Sequence, residues 1–533
     1  MQPAEKPSPL RAIWAFIFAY AGVSVAINSL SADPILTFYI FPFVGLLALF
    51  AGLGRVSPSG QPNKGWWLPL IPLAMWMTWY IFISLFGAFS VPAILFHFRY
   101  QLNSNGVAGE IAERATLALL PFLLLAICWV RFARRHSLLQ RLGTIAFIPF
   151  MLLNPMTVAL GKYAAHSYLV TPFPLKERYV DPAKAMAPAG RPRNLVRILL
   201  ESTERTLWDE TVFSDIAAPL KRLERRGFSA TGIEQSEMTG WTLAGMVASG
   251  CGVPLFGLGA INGNSYDVLA DFMPEAHCLG DLLRRDGYDL AFFKGAELTF
   301  SGTDVYLGSH SFQEAYGFHE LTKPGQLPDN AWGLDDEKIF DAAFRRIQNA
   351  AREGRPFNVS LVTLGGHFPS GYLSTSCQTR PEIMKYPNNT MRAFACTNHL
   401  TEEFVDRLEA AGLLENTIVA IQSDHLAMQN EIFAELLSRE RRNTFIVLGD
   451  GLEGRVNTSP ATMVDVYPTL LEALGYELPR HRAGLGVSLL SGQKTLREDL
   501  GLAALDEAIV SNVTLRDFLW QLKPVDGASS RID

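Results

Sequence analysis

Leu195-Val196-Arg197-Ile198-Leu199-Leu200-Glu201-Ser202-Thr203 reads as a buried β-strand that runs straight into a carboxylate. Branched, apolar residues bounded by polar ones favour a strand covered on both faces. The pattern recurs at Leu290 to Phe293, Asn358 to Thr363, Thr417 to Gln422 and Thr444 to Leu448, with helical patterns such as Asp335 to Ala351 and Asn398 to Ala411 between them. Alternation of this kind implies an α/β domain with a largely parallel sheet between helices. In open α/β sheets, ligands gather beyond the carboxyl ends of the strands. That rule singles out Glu201, the turn Gly365-Gly366-His367-Phe368-Pro369 and the dipeptide Asp424-His425.

A second stretch, Thr239-Gly240-Trp241-Thr242-Leu243-Ala244-Gly245-Met246-Val247-Ala248-Ser249-Gly250-Cys251-Gly252, places a hydroxyl at a Gly-marked turn leading into a small-residue helix. A helix start presents unpaired N–H groups and a positive dipole to an incoming phosphate. Thr242 is therefore the candidate nucleophile, with anion site and attacking oxygen on one element. Its plainer role would be as a helix cap. Thr239 is a rival hydroxyl, and Thr242 is preferred because it falls at the expected helix start. Trp241 is a candidate lipid or sugar platform, or else packs against the helix.

Taken singly, these residues have ordinary explanations. Glu201 could be a salt-bridging carboxylate, His367 a loop histidine and Asp424-His425 a structural pair. Together, Glu201, Thr242, Asp424 and His425 offer three oxygens and one nitrogen, a donor set suited to one divalent ion. Manganese is the first choice, with zinc or magnesium as alternatives. Such an ion favours the alkoxide of Thr242 and neutralises charge gathering on a phosphoryl group. His367 is placed to hydrogen-bond a phosphoryl oxygen or to protonate a departing alkoxide. Lys294 follows an apolar strand and is a candidate anion-binding residue, or a solvated edge lysine.

The chain has 533 residues, of which 49% are hydrophobic and 18% charged. Its apolar residues crowd into the first third, in runs near the length needed to cross a bilayer. Spans are expected at Leu10 to Leu30, Ile35 to Gly54, Trp66 to Phe86, Ala115 to Phe132 and Leu142 to Leu160, with Ser90 to Phe98 in the interface. Lys6, Arg11, Arg55, Lys64, Arg131, Arg134, Arg135 and Arg141 fall on one side of these spans, and Arg99 and Arg114 on the other. By the positive-inside rule the N-terminus is cytoplasmic and everything after the fifth span is outside.

The expected organisation is a five-span α-helical transmembrane domain over 1–163, a proline-rich linker over 164–194, the α/β domain over 195–523 and a flexible tail over 524–533. Cys128 lies in a span. Cys251, Cys278, Cys377 and Cys396 lie outside and permit two disulfides, with the sequence neighbours 251/278 and 377/396 suggested and the three possible pairings left open. A net charge of −6 without an extended basic patch argues against a nucleic-acid partner.

These motifs, in this order, resemble the alkaline phosphatase superfamily, and within it the membrane-anchored branch that holds lipoteichoic acid synthases and phosphoethanolamine transferases. Arg197-Ile198-Leu199-Leu200-Glu201-Ser202 resembles the family's metal-binding Glu motif, Gly240-Trp241-Thr242 its nucleophile motif, Thr363 to Pro369 its substrate histidine motif, and Ser423-Asp424-His425 its metal Asp-His motif. Asp465-Val466-Tyr467-Pro468-Thr469-Leu470 resembles a late structural signature. The string around Thr242 is most similar to the phosphoglycerol transferases that decorate periplasmic glucans.

The resemblance implies an alkaline-phosphatase-like fold in the bacterial inner membrane with its catalytic domain in the periplasm. It implies transfer of phosphoglycerol from phosphatidylglycerol, through a phosphoglycerol-threonine intermediate, to hydroxyls of a glucan, linear or cyclic, with diacylglycerol left in the bilayer. Alternatives are a phosphoethanolamine transferase, a lipoteichoic-type polymerase, a hydrolase or sulfatase, and a non-catalytic lipid- or glucan-binding protein. The stretch Leu298 to Asp304 lacks the Trp and Arg with which the lipoteichoic acid synthases grip glycerolphosphate, which disfavours the polymerase. The Cys-x-Pro-x-Arg pattern of sulfatases is absent too.

Overall fold

The computed structural model describes residues 66–86, 116–131 apart from 117, 118, 120, 121 and 128, then 147–148, 150–168, 173–257 and 271–521. The described residues sort into two compact units, one ending at Lys162 and the other beginning at Tyr163. In the first unit, helix Leu70–Phe86 occupies the third expected span. Buried Asn154 Nδ2 donates to Pro72 O at 2.8 Å. No helix among the described residues is long and apolar enough to cross a membrane. The first two expected spans, parts of the fourth and fifth, the segment 90–98, Cys128 and the tail lie outside the described residues.

In the second unit the apolar runs become strands. These are β1 (Asn194–Leu200), β2 (Phe228–Ala230), β3 (Ile233–Glu234), β4 (Asp289–Lys294), β5 (Glu314–Tyr316), β6 (Phe357–Val362), β7 (Thr417–Ser423), β8 (Phe445–Leu448) and β9 (Arg455–Asn457). Eight of them form one sheet in the order β5-β4-β6-β1-β7-β8-β2-β9, with β3 paired outside it to Ala461–Thr462. The centre is parallel, and β8 runs antiparallel to both β7 and β2. All five expected strands are present, within one or two residues of their expected ends. The three-residue strands β2, β5 and β9 are additions at the margins.

Alternation along β1 sends Leu195 and Leu199 into one core, and Val196, Ile198 and Leu200 into the other. Helix Asp336–Glu353 turns Ile339, Phe340, Ala343, Ile347 and Ala350 onto the second core, a single apolar stripe at helical spacing. Helix Asn389–Ala410 covers the same face and begins nine residues before the expected start, capped by Asn388. Helix Thr242–Cys251 lies on the opposite face. The expected linker is laid partly onto this domain: Leu175 is fully buried, and backbone bridges join Val180 to Gly484 and Met186 to Glu477.

Register brings the strand ends level. Leu199 sits opposite Val362 and Gln422, and Leu200 opposite Ser423, so the residues that follow leave the sheet side by side. Helix Thr242–Cys251 is held against these ends from several directions. Buried Arg197 on β1 donates to Gln422 Oε1 at 3.2 Å and to Ser249 Oγ on the helix. Cys251 is disulfide-bonded to Cys278 at the start of helix Leu279–Arg285, and Cys377 to Cys396, the pairing by sequence proximity. The closest approach is at Gly245, where a Cβ would lie 1.8 Å from Asp424 O.

That contact generates a direct stability test. Gly245→Ala should cost about 1–3 kcal/mol through overpacking against rigid backbone, seen as a lowered Tm in thermal unfolding of the full chain. Gly190→Ala, whose Cβ meets nothing within 4 Å, should leave Tm unchanged.

Candidate active site

Glu201, Asp424 and His425 are 2%, 0% and 2% exposed. Their ligating atoms all lie within 4.8 Å of one another. Strand register explains the gathering: β1 and β7 are neighbours, and the chain leaves both at the same level. Ser202 takes a left-handed φ of 57°, which turns its N–H onto Asp424 Oδ1 at 2.9 Å. His425 N donates to the same oxygen at 2.8 Å. Asp424 Oδ2 has no hydrogen-bond partner although it is buried. An orphaned carboxylate oxygen at this depth is costly without a cation.

His425 is oriented for ligation. Its Nδ1 donates to Leu426 O at 2.8 Å, which aims Nε2 at Glu201 Oε1 and Asp424 Oδ2, each at 3.4 Å. Burial alone would lower the imidazole's pKa, but the carboxylates of Asp424 and Glu201 raise it to about 9. Burial, then the Glu201 charge, raises the Asp424 carboxyl to about 7. For Glu201 burial acts upward, but His367 and His425 hold its pKa well below the carboxylate range. Two carboxylates, one of them with an oxygen that accepts no hydrogen bond, and one imidazole nitrogen fit a divalent cation.

Thr242 is the first residue of its helix and is partly exposed. Its Oγ1 donates to Glu201 Oε2 at 3.2 Å, which brings all four expected ligands together. Trp241 is the N-cap residue and makes no side-chain cap, and a helix start of this kind carries a positive dipole that favours an anion. Trp241 itself is 5% exposed and belongs to the core under the helix. Thr239 is fully buried, with its hydroxyl donating to Ser236 O at 2.7 Å. Thr242 is thus the hydroxyl directed at the carboxylate cluster.

His367 and Lys294 are linked through aromatic rings. The imidazole of His367 is buried, and its Nδ1 bonds Phe368 O at 2.9 Å, leaving Nε2 free of that bond. Burial lowers its pKa, against the raising effect of Glu201. Lys294 ends β4 and donates to Thr303 Oγ1 at 3.0 Å, while burial lowers its ammonium to about 8. Phe300 lies 5.8 Å from the ammonium and 5.4 Å from Trp332, and Trp332 in turn packs on His367 with ring centroids 3.9 Å apart. Lys294 therefore reaches His367 through two aromatic rings, with no direct bond between them among these contacts.

Sequence reading missed Trp332 and Asp336. Asp336 accepts from Leu364 N at 2.6 Å and Gly365 N at 3.1 Å and so shapes the His367 turn. Asp335-Asp336 at the head of a helical pattern was the available signal for the second. Trp332 reaches the site from an irregular segment with no periodicity to mark it.

The chain is 32% identical over 469 residues to phosphoglycerol transferase I of Citrobacter koseri, covering 84% of this chain and 60% of that protein. It is 30% identical over 468 residues to phosphoglycerol transferase I of Escherichia coli, with the same two shares. This chain therefore spans about three-fifths of the length of those relatives. Among solved structures, the lipoteichoic acid synthase LtaP from Listeria monocytogenes is matched at 15% identity and a TM-score of 0.48, over 68% of this chain and 96% of that one. The sulfatase family model matches residues 193–476, more than half of the chain and the stretch that contains Glu201, Thr242, His367, Asp424 and His425. The chain belongs to the sulfatase family.

Proposed function

We propose that this protein is a membrane-anchored phosphoglycerol transferase. It takes phosphoglycerol from phosphatidylglycerol, holds it on Thr242, passes it to a hydroxyl of a periplasmic glucan, and leaves diacylglycerol in the bilayer. The observation that carries the proposal is Thr242 Oγ1, 3.2 Å from Glu201 at an uncapped helix start beside two further buried ligand residues. The relatives named phosphoglycerol transferase I support the choice of transferred group. A threonine at the helix start, with no Cys-x-Pro-x-Arg sequence, sets the chain apart from formylglycine chemistry.

In this reading Glu201, Thr242, Asp424 and His425 would hold one divalent ion, manganese first. When bound, the ion supplies positive charge that stabilises the Thr242 alkoxide and the phosphoryl oxygens. Thr242 Oγ1, its hydroxyl proton already released to solvent, attacks phosphorus as the alkoxide and forms its P–O bond as the bond to the diacylglycerol oxygen breaks, while His367 Nε2, protonated, gives that oxygen its proton. In the second half the neutral Nε2 takes a proton from the acceptor hydroxyl, whose oxygen displaces Thr242 and restores the starting state. The first-turn amides of helix Thr242–Cys251 face the phosphoryl charge in both halves. The N-terminal third, read as five spans with the N-terminus cytoplasmic, keeps the threonine near the leaflet where the donor resides.

The test is diacylglycerol release by the purified full chain from phosphatidylglycerol, with manganese or a chelator, with and without glucan. Metal-dependent release, together with phosphoglycerol added to the glucan, is expected, and Thr242→Ala should abolish both. Consumption of phosphatidylethanolamine in place of phosphatidylglycerol would overturn the donor assignment. If neither lipid reacts, a binding role replaces the enzyme.

Metal content gives a readout independent of turnover. Wild-type protein equilibrated with manganese should retain close to one ion per chain. Asp424→Asn and His425→Ala should lower affinity at least about tenfold, since even supporting residues of metal sites contribute 10–100-fold. Equal retention by all three proteins would remove the metal site.

A further inference from the structure

A second concavity opens at the same end of the sheet. Its volume is about 510 Å³, and its lining includes Arg205, Thr206, Glu234, Glu440, Arg442 and Arg497. Volumes of about 300–1,000 Å³ are usual for small-ligand sites. The chain connects it closely to the catalytic turn. Arg205 lies four residues past Glu201, and Arg442 three residues before β8, whose first residue pairs with Gln422 near the end of β7. Glu234 ends β3, and the next side chain, Gln235, accepts from Leu426 N at 2.7 Å, one residue past His425.

The charges lining this cleft are already matched. Arg205 pairs with Glu224 at 2.8 Å. Arg442 pairs with Glu234 at 3.2 Å and Glu440 at 3.3 Å, and Arg497 with Glu234. An incoming phosphate would have to displace a carboxylate from its guanidinium, so the cleft is poorly suited to an anion. Fixed donors and acceptors set side by side suit a neutral ligand whose every hydroxyl both gives and accepts a hydrogen bond. Thr206 adds a hydroxyl, 6% exposed as a residue, with no hydrogen-bond partner.

We infer that this cleft binds the acceptor as an uncharged, polyhydroxylated chain and delivers one of its hydroxyls to the neighbouring phosphothreonine. The inference rests on the transferase reading for the identity of the acceptor, but the binding it describes requires no donor.

The experiment measures a neutral glucose oligosaccharide binding to the full chain without lipid donor, and then acceptor KM in the complete reaction. Wild type, Arg442→Ala and Glu440→Ala are compared. Loss of the charged hydrogen-bonding group of Arg442 should raise both Kd and acceptor KM about tenfold or more. Exposed Glu440, whose replacement carries little folding risk, should show a smaller rise. Unchanged Kd and KM in both variants would overturn the inference, as would displacement of the oligosaccharide by free glycerol phosphate. If wild type binds the oligosaccharide in an Arg442-dependent manner but never receives phosphoglycerol from phosphatidylglycerol, the cleft stands and the transferase reading falls.

Discussion

The approach of Gly245 to the main chain of Asp424 is the constraint on which the site depends. A helix bearing any side chain at that position would be driven off the carboxyl end of β7, taking Thr242 away from Glu201. Gly366 works the same way on the other side, where a Cβ would stand 2.2 Å from Glu201 O. With these two glycines the chain brings three elements to backbone contact around one point. Arg197 and the Cys251–Cys278 bond then fix the helix along its length. Close packing of this kind passes small volume changes on as displacement, so residues that touch neither group govern the placement of Thr242 against Glu201.

Electrostatics gives the arrangement its purpose. Glu201 and Asp424 are withdrawn from water with only the imidazoles of His425 and His367 near them, and one Asp424 oxygen accepts no hydrogen bond. Such a cluster would be a poor structural device, because buried like charges repel and lose their hydration. It becomes sensible as a cradle for a cation. The start of helix Thr242–Cys251, where Trp241 gives no side-chain cap, adds a second positive feature beside Thr242, so the site suits an anion as well as a cation.

The interior of the α/β domain was legible in the sequence because buried parallel strands are nearly continuous apolar runs, and the polar residue that ends each run is conspicuous. Glu201, His367, Asp424 and His425 were all found by that rule. The margins were less legible. Strands β2, β5 and β9 have three residues each, too short for any period to show. The start of helix Asn389–Ala410 is polar, and its cap at Asn388 is one of two adjacent asparagines. Trp332 could not be found, since its place against His367 arises only when distant segments pack. The paired charges around Glu234 escaped notice for the same reason, Arg442 coming from a loop and Arg497 from the short helix Leu496–Leu500.

The central claim is that Thr242 carries the transferred group. Its most direct test is peptide mapping by mass spectrometry after brief exposure of the manganese-loaded full chain to phosphatidylglycerol without acceptor. The account predicts a phosphoglycerol adduct on the peptide holding Thr242, localised to that residue and removed when glucan is added. An adduct on Thr239 or elsewhere, or diacylglycerol release without any adduct, would contradict it.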